Sequence, residues 1–321
     1  MSFTLPVYQP PDFAALGLGD APDVKLVPAE RDGVVPEQYH ATTMFPEYFR
    51  LNGRWVLAEE SRMDCVAVCR DGAVSIVEFR NVKKGDPVAV GRTEDGGEGI
   101  YVHTGGFGEE GGGGETFSFR QGRSRETAYS MDYDSIYELL KYERDHGNII
   151  WVMGPACAFD ADARSAFAAL VREGFVDGIL AGNALATHDL EAGYRGTALG
   201  QDVYTQRSVP NGHYNHIDTI NEVRRLGSVQ AFVDSGEVRD GILYECVKKS
   251  VPFVLVGSVR DDGPLPEVYG NVYEGQNAMR DLVRKATTII CMASTLHTVA
   301  TGNMTPCYRV VNGSVRPLYF Y

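Results

Sequence analysis

The chain has 321 residues, enough for two domains, and its 44% hydrophobic and 23% charged content is that of an ordinary globular protein with a sizeable core. A formal net charge of −13 argues against binding to nucleic acid or to an anionic membrane, both of which need a Lys/Arg excess. No stretch approaches the roughly 18 uninterrupted apolar residues of a membrane span, and Met1 to Val7 carry no basic residue ahead of a hydrophobic run, so a cytoplasmic protein handling a small molecule is expected.

Residues 1–40 hold Pro6, Pro10, Pro11, Pro22, Pro28 and Pro36, which forbid a long helix and predict an extended arm packed on the body or on a neighbouring subunit. Between Glu37 and Phe119 short alternating segments follow: Trp55-Val56-Leu57, Asp64 to Val68, Ala73 to Val77 and Pro87 to Val90. Turn sequences separate them, among them Asn52-Gly53, Asp71-Gly72 and Lys84-Gly85-Asp86. This predicts a small antiparallel β domain over 41–130. Cys65 and Cys69 share a face of one strand, but no second ligand pair follows, and the six scattered cysteines read as reduced, mostly buried thiols. Gly105 to Gly114 contains seven glycines and two acidic residues, the composition of a flexible loop whose Glu109 and Glu110 would repel an anion.

After Tyr133 the texture changes to alternating helices and buried strands. Ser135 to Asp145 has helical spacing, and Asn148 to Met153 is a continuous apolar strand ending in Gly154-Pro155-Ala156. Asp160 can cap the next helix, and Asp177 to Ala181 forms a second strand ending in Gly182-Asn183-Ala184. Helices are expected over Ile217–Leu226, Arg239–Lys249 and Ala278–Ala286, with strands at Val251–Val256 and Thr287–Met292. Such alternation makes residues 131–321 an α/β domain with a mostly parallel sheet.

Ligands of such sheets bind outside the carboxyl ends of the strands, where small residues let backbone amides and helix N-termini approach a phosphate. Here the strand ends supply Gly154, Pro155, Gly182, Asn183, Ala184, Gly257, Ser258, Asp261, Asp262, Ser294 and Thr295. Asp262 is a candidate acceptor for ribose hydroxyls, and the plain alternative for Asn183 is a helix N-cap. Arg260-Asp261-Asp262-Gly263-Pro264 reads either as a shaped site or as a capped turn. The dense cluster Asn211 to His216 is placed on a loop. His213, His216 and Asp218 offer three ligand types within six residues, but no partner pair completes a tetrahedral set, so no metal is assigned. Gly-x-Ser-x-Gly and the Walker-type Gly-Lys-Ser/Thr are both absent, and the standard Gly-x-Gly-x-x-Gly after a strand is absent from residues 131–321.

Four segments carry a family resemblance: Ala181 to Asp189; Gly212 to His216; Val251 to Leu255 with Gly257 to Pro266; and Leu296 to Met304. Together they resemble the LOR/SDH-type conserved domain of archaeal-type NAD-dependent ornithine cyclodeaminases, which also forms the C-terminal part of cyanobacterial arginine dihydrolase fusion proteins. The resemblance covers roughly residues 40 to 305. It implies a β-rich N-terminal domain followed by a Rossmann-like NAD-binding domain, in an NAD-dependent ammonia lyase that converts ornithine to proline by transient hydride transfer, acting as a cytoplasmic homo-oligomer on an amino-acid substrate. At matching positions Asn183, Ala184, Asp262 and Ser294 are implied NAD contacts, and Asp189, His213 and Arg260 are candidates for substrate binding or proton transfer. Two features depart from the family pattern: Cys157 to Asp160 after Gly-Pro-Ala, and the end Val310-Val311-Asn312-Gly313 to Tyr321. Two other readings stay open, an NAD-dependent amine or imine oxidoreductase and a non-catalytic nucleotide-binding or assembly protein.

Overall fold

The computed structural model describes residues 3–107, 130–293 and 295–321. They group into two compact units, one of residues 3–107 with 302–320, the other of residues 130–301 with Tyr321. Most of the glycine-rich stretch, from Gly108 on, lies outside the described residues.

The first unit begins with the proline-rich segment, which contributes β1 (Lys25–Pro28). It continues through β2 (Glu47–Leu51), β3 (Arg54–Leu57), β4 (Cys65–Arg70), β5 (Ala73–Glu78), β6 (Pro87–Val90) and β7 (Ile100–Val102). Two antiparallel sheets result, ordered β1-β6-β4-β5 and β3-β2-β7. Strand alternation sends Cys65, Ala67 and Cys69 of β4 into a core with Phe49, Leu51 and Ile100, and Val66 and Val68 into another with Val82 and Val88. The two cysteines are therefore core residues, and burial pushes the Cys69 thiol up to about 12. Positive φ at Asn52-Gly53 and Asp71-Gly72 makes both pairs the tight hairpin turns that their sequence demands.

The second unit runs α1 (Ser130–His146), β8 (Ile149–Met153), a 3-10 turn (Pro155–Ala158), α2 (Ala161–Arg172), β9 (Gly178–Gly182) and α3 (Asn183–Arg195). A small hairpin of β10 (Thr197–Ala198) and β11 (Gln201–Asp202) leads to α4 (Gly212–Leu226), α5 (Val229–Asp234) and α6 (Ile242–Lys249). Then come β12 (Phe253–Val256), α7 (Val272–Val283), β13 (Thr288–Met292) and α8 (Thr295–Asn303). The strands order β12-β9-β8-β13, all parallel, with Ile150 opposite Gly178 and Ile289 opposite Ile150. Every residue of β8 is buried, as a parallel strand covered on both faces requires. Its Ile149, Trp151 and Met153 join Phe167, Val171, Leu185 and Leu190 in one core.

Asp160 caps α2, its side chain accepting from Ala163 N at 2.7 Å. The helix expected from Ile217 starts at Gly212, so the Asn211–His216 cluster belongs to its first turn and not to a loop. The helix expected over Ala278–Ala286 starts earlier, because Asn271 caps it through Tyr273 N and Glu274 N.

The chain closes with β14 (Tyr308–Val311) and β15 (Ser314–Pro317), joined through Asn312-Gly313 with φ of 51° and 77°. The sequence places this segment with the second domain, but it groups with the first unit. There Cys307 N donates to Met44 O at 2.8 Å and the Tyr308 hydroxyl donates to Ala58 O.

Candidate cofactor and substrate site

The chain builds β8, β9 and β12 successively outward, then returns to the other side of β8 for β13. The strand order reverses between β8 and β13, and in such sheets ligands bind at the carboxyl ends flanking that reversal. Gly154 stands there, its N–H donating to Met292 O at 2.8 Å, and Pro155 opens the following 3-10 turn. Ser294 lies outside the described residues; Thr295 starts α8.

On the neighbouring strand β9 runs directly into α3. Gly182, not Asn183, occupies the N-cap position, and no side chain caps this helix. Its first-turn amides, at Asn183 and Ala184, lack intrahelical acceptors, which makes the helix start an anion-accepting surface. Asn183 is buried and has a different task. Its Oδ1 accepts from Leu265 N at 3.1 Å and Thr187 Oγ1 at 3.2 Å, and its Nδ2 donates to Asp261 Oδ1 at 3.4 Å. Asn183 thus ties the end of β9 to the loop after β12.

That loop is held from within. Asp261 Oδ2 accepts from Ser258 N at 2.7 Å, and Gly257 N donates to Tyr269 O at 2.9 Å. With Asp261 occupied in this way, Arg260 and Asp262 are left exposed along a groove of ≈ 650 Å³. Asn183, Asp261, Gly263 and Pro264 form one wall, and His216, Ile217, Ile220, Asn221 and Arg224 of α4 form the other. Arg224 is fixed by donating to Pro264 O at 2.9 Å. Two guanidinium groups and the start of α3 thus give an acidic protein a local place for an anion, beside a carboxylate able to accept from hydroxyls.

The α4 wall was not anticipated from the sequence. Its signal is the spacing 216, 217, 220, 221, 224, one helical face, hidden because the stretch through His216 was read as a loop.

The three candidate chemical residues are not brought together. Asp189 is fully buried, paired with Arg164 at 2.7 Å and accepting from Ile242 N at 2.9 Å and Leu243 N at 2.7 Å. Both carboxylate oxygens are engaged within the protein, so Asp189 caps α6 and does not line the groove. His213 is exposed at the start of α4, its ring 4.4 Å from that of Tyr214. Of the three, Arg260 alone lines the groove.

Beside α3 lies another cluster. Glu191 is wholly buried; its Oε1 accepts from Thr197 Oγ1 at 2.7 Å and Gly200 N at 2.9 Å, and its Oε2 from Leu199 N at 2.9 Å. His216 Nδ1 stands 3.3 Å and His188 Nδ1 3.6 Å from Oε2. Burial pushes the Glu191 carboxyl up, but the two imidazoles, the Gly200 N–H and the Thr197 hydroxyl outweigh it and hold it down at about 2.

Among known families, the model described as arginine dihydrolase ArgZ-like, C-terminal, Rossmann fold matches residues 135–317, and that of the C-terminal first region matches 46–127. The ornithine cyclodeaminase of Methanocaldococcus jannaschii is 39% identical over 295 residues, covering 89% of this chain and 68% of that protein. The crystal structure of a LOR/SDH protein from Methanococcus maripaludis superposes with a TM-score of 0.80 at 34% identity, over 89% of this chain and 85% of that one. The bifunctional arginine dihydrolase/ornithine cyclodeaminase AgrE of Nostoc sp. is 34% identical over 91% of this chain and 42% of its own length. A ternary crystal structure of AgrE with ornithine and NAD+ superposes with a TM-score of 0.54 at 33% identity, over 89% of this chain and 40% of that one. With both regions matched and more than two thirds of an archaeal relative covered, the chain belongs to the ArgZ-like C-terminal family, which includes the archaeal ornithine cyclodeaminases.

Proposed function

We propose that the protein is an NAD-dependent ornithine cyclodeaminase, a lyase that converts ornithine to proline and ammonia. The observation that carries the reading is the groove between the α3 start, the Arg260–Pro264 loop and α4, at the carboxyl end of a parallel sheet whose relatives bear that activity by name. NAD would supply reversible hydride transfer at the α-carbon of the amino acid, so that the overall conversion of ornithine to proline and ammonia is redox-neutral.

The residues fit such a cofactor. The uncapped first turn of α3 offers Gly182, Asn183 and Ala184 to the pyrophosphate, with Gly154 and Pro155 at the adjacent strand end. Asp262 accepts from ribose hydroxyls. Arg260 pairs with the substrate carboxylate, holding the amino acid in one orientation. Ile217 and Ile220 supply the apolar wall that limits water. Six free cysteines suit a reducing cytoplasm, and no helix among the described residues is long and apolar enough to cross a membrane. Exposed Tyr204 and Tyr214 support a homo-oligomer, which light scattering tests directly.

The test is to supply the purified chain with NAD+ and ornithine. Proline and ammonia in equal amounts with no net NADH are expected. NADH accumulating in step with ornithine loss would make it an oxidoreductase, and NAD binding without turnover of ornithine would sink the assignment.

A further inference from the structure

His188 and Glu191 lie three positions apart on α3, so helix geometry puts both side chains on one face. His216 reaches the same point from the first turns of α4. A ring nitrogen of each imidazole and a carboxylate oxygen of Glu191 lie within 4.8 Å of one another. The arrangement is the one group among the described residues that meets the donor and distance requirements of a metal centre. It differs from the His213, His216 and Asp218 set that the sequence alone suggested, because α4 turns His213 and Asp218 to the surface.

Two observations separate this cluster from an ordinary buried ion pair. His188 Nδ1 is buried with no hydrogen-bond partner, although it faces the carboxylate. His216 Nδ1 makes a long hydrogen bond to Glu191 Oε2 at 3.3 Å, and His188 Nδ1 at 3.6 Å lies beyond one. The two separations equal instead the edge of a tetrahedron, since ligands about 2.0–2.2 Å from a zinc-sized ion stand roughly 3.4 Å apart. The surroundings also hold the ligands still. Thr197 Oγ1 and the Leu199 and Gly200 amides orient the Glu191 carboxylate, and Asn215 Nδ2 donates to Thr197 Oγ1 at 3.1 Å. Phe159 lies against the His188 ring, with centroids 4.6 Å apart. Such outer partners are what a metal site needs to keep its ligands oriented.

We propose that His188 Nδ1, Glu191 Oε2 and His216 Nδ1 form a binding site for a divalent transition ion of the zinc class. Two imidazoles and one carboxylate suit zinc or cobalt better than calcium or magnesium, which prefer oxygen ligands alone. Because His216 also lines the groove, the ion sits at its edge, where a fourth ligand from solvent or substrate completes the set. The proposal does not rest on the cyclodeaminase reading, since binding is measured without turnover.

The test uses the full chain, freed of metal by a chelator and shown to be folded by circular dichroism, and titrated with cobalt(II) alone. One equivalent is expected to bind, with visible absorption of tetrahedral nitrogen and oxygen coordination and no thiolate charge-transfer band. Zinc(II) should displace it and raise the thermal unfolding midpoint. His216→Ala and His188→Ala should each abolish the absorption. Glu191→Gln is not needed, because the spectrum of the unaltered chain decides by itself. No stoichiometric uptake by the folded chain, a thiolate-type spectrum, or uptake unchanged in folded His216→Ala and His188→Ala would overturn the site.

Discussion

Arg164 Nε donates to Asp189 Oδ1 at 2.7 Å, and its Nη2 donates to the carbonyls of Asp189 at 3.1 Å and Asp240 at 2.9 Å. One buried pair thereby joins α2, α3 and the start of α6, whose Ile242 and Leu243 amides the same carboxylate accepts. Removing one partner of such a pair leaves the other charge buried without compensation. Asp189→Ala is expected to cost about 3–5 kcal/mol of stability. Urea unfolding monitored by circular dichroism checks it. A residue acting only in chemistry would instead lower turnover and leave the midpoint where it was.

Gly241 is packed against the same pair. Its φ is +112°, and a β-carbon there would lie 2.1 Å from Arg164 Nη2 and 2.7 Å from Asp189 Oδ1. Gly241→Ala combines backbone strain of about 1–3 kcal/mol with displacement of a bonded guanidinium. A thermal unfolding midpoint lowered by several degrees is expected, and an unchanged one would show that Arg164 can move aside.

In the groove, Asp262 is exposed and Asp261 is committed to Ser258 N. Asp262→Ala should weaken NADH binding about tenfold, equivalent to roughly 1.4 kcal/mol, with the unfolding midpoint unchanged. Asp261→Ala should also weaken binding, but by loosening the loop. Fluorescence titration with NADH, together with thermal melts of both variants, separates the two effects.

Burial raises the Asp177 carboxyl above its ordinary 3.8, with Glu143 adding to the effect against the bond from Ile149 N. A carboxyl raised by folding favours the folded state below the unfolded value and loses that contribution as pH rises through the folded value. Asp177→Asn keeps an acceptor for Ile149 N and carries no charge. It should therefore match or exceed the parent in stability at neutral pH, with the comparison shifting toward the parent as pH falls to 3.8. Urea midpoints of both proteins across that range test the sign.

Burial also pushes thiols up, to about 11 at Cys157 and about 12 at Cys69, Cys291 and Cys307, from an ordinary 9.0. As the thiolate is the reactive form, labelling of the native chain by a disulfide reagent should stay slow at mildly alkaline pH and become rapid on unfolding. A fast-labelling cysteine in the native chain would contradict these placements.

Much of the architecture was legible because local rules decide it. The Asn52-Gly53 and Asp71-Gly72 turns, the Asp160 cap and the apolar run of β8 need only neighbouring residues to specify them. So were the small residues at the ends of β8 and β9, which stand at the carboxyl edge of the sheet. The roles of individual polar residues were not legible. Asp189 and Asp262 look alike as acidic residues after a strand, yet one caps a distant helix inside the core and the other faces the groove.

The sequence by itself determined the order of strands and helices, the tight turns and the family, because periodicity, capping and motif spacing are properties of contiguous residues. Tertiary structure alone decided that Asn183 would bind Leu265 N and Asp261 across 82 and 78 positions, and that His188, Glu191 and His216 would converge. Those pairings depend on how α3, α4 and the loop after β12 pack at the carboxyl edge of the sheet. Contacts between segments far apart in the chain leave no local pattern from which they can be read.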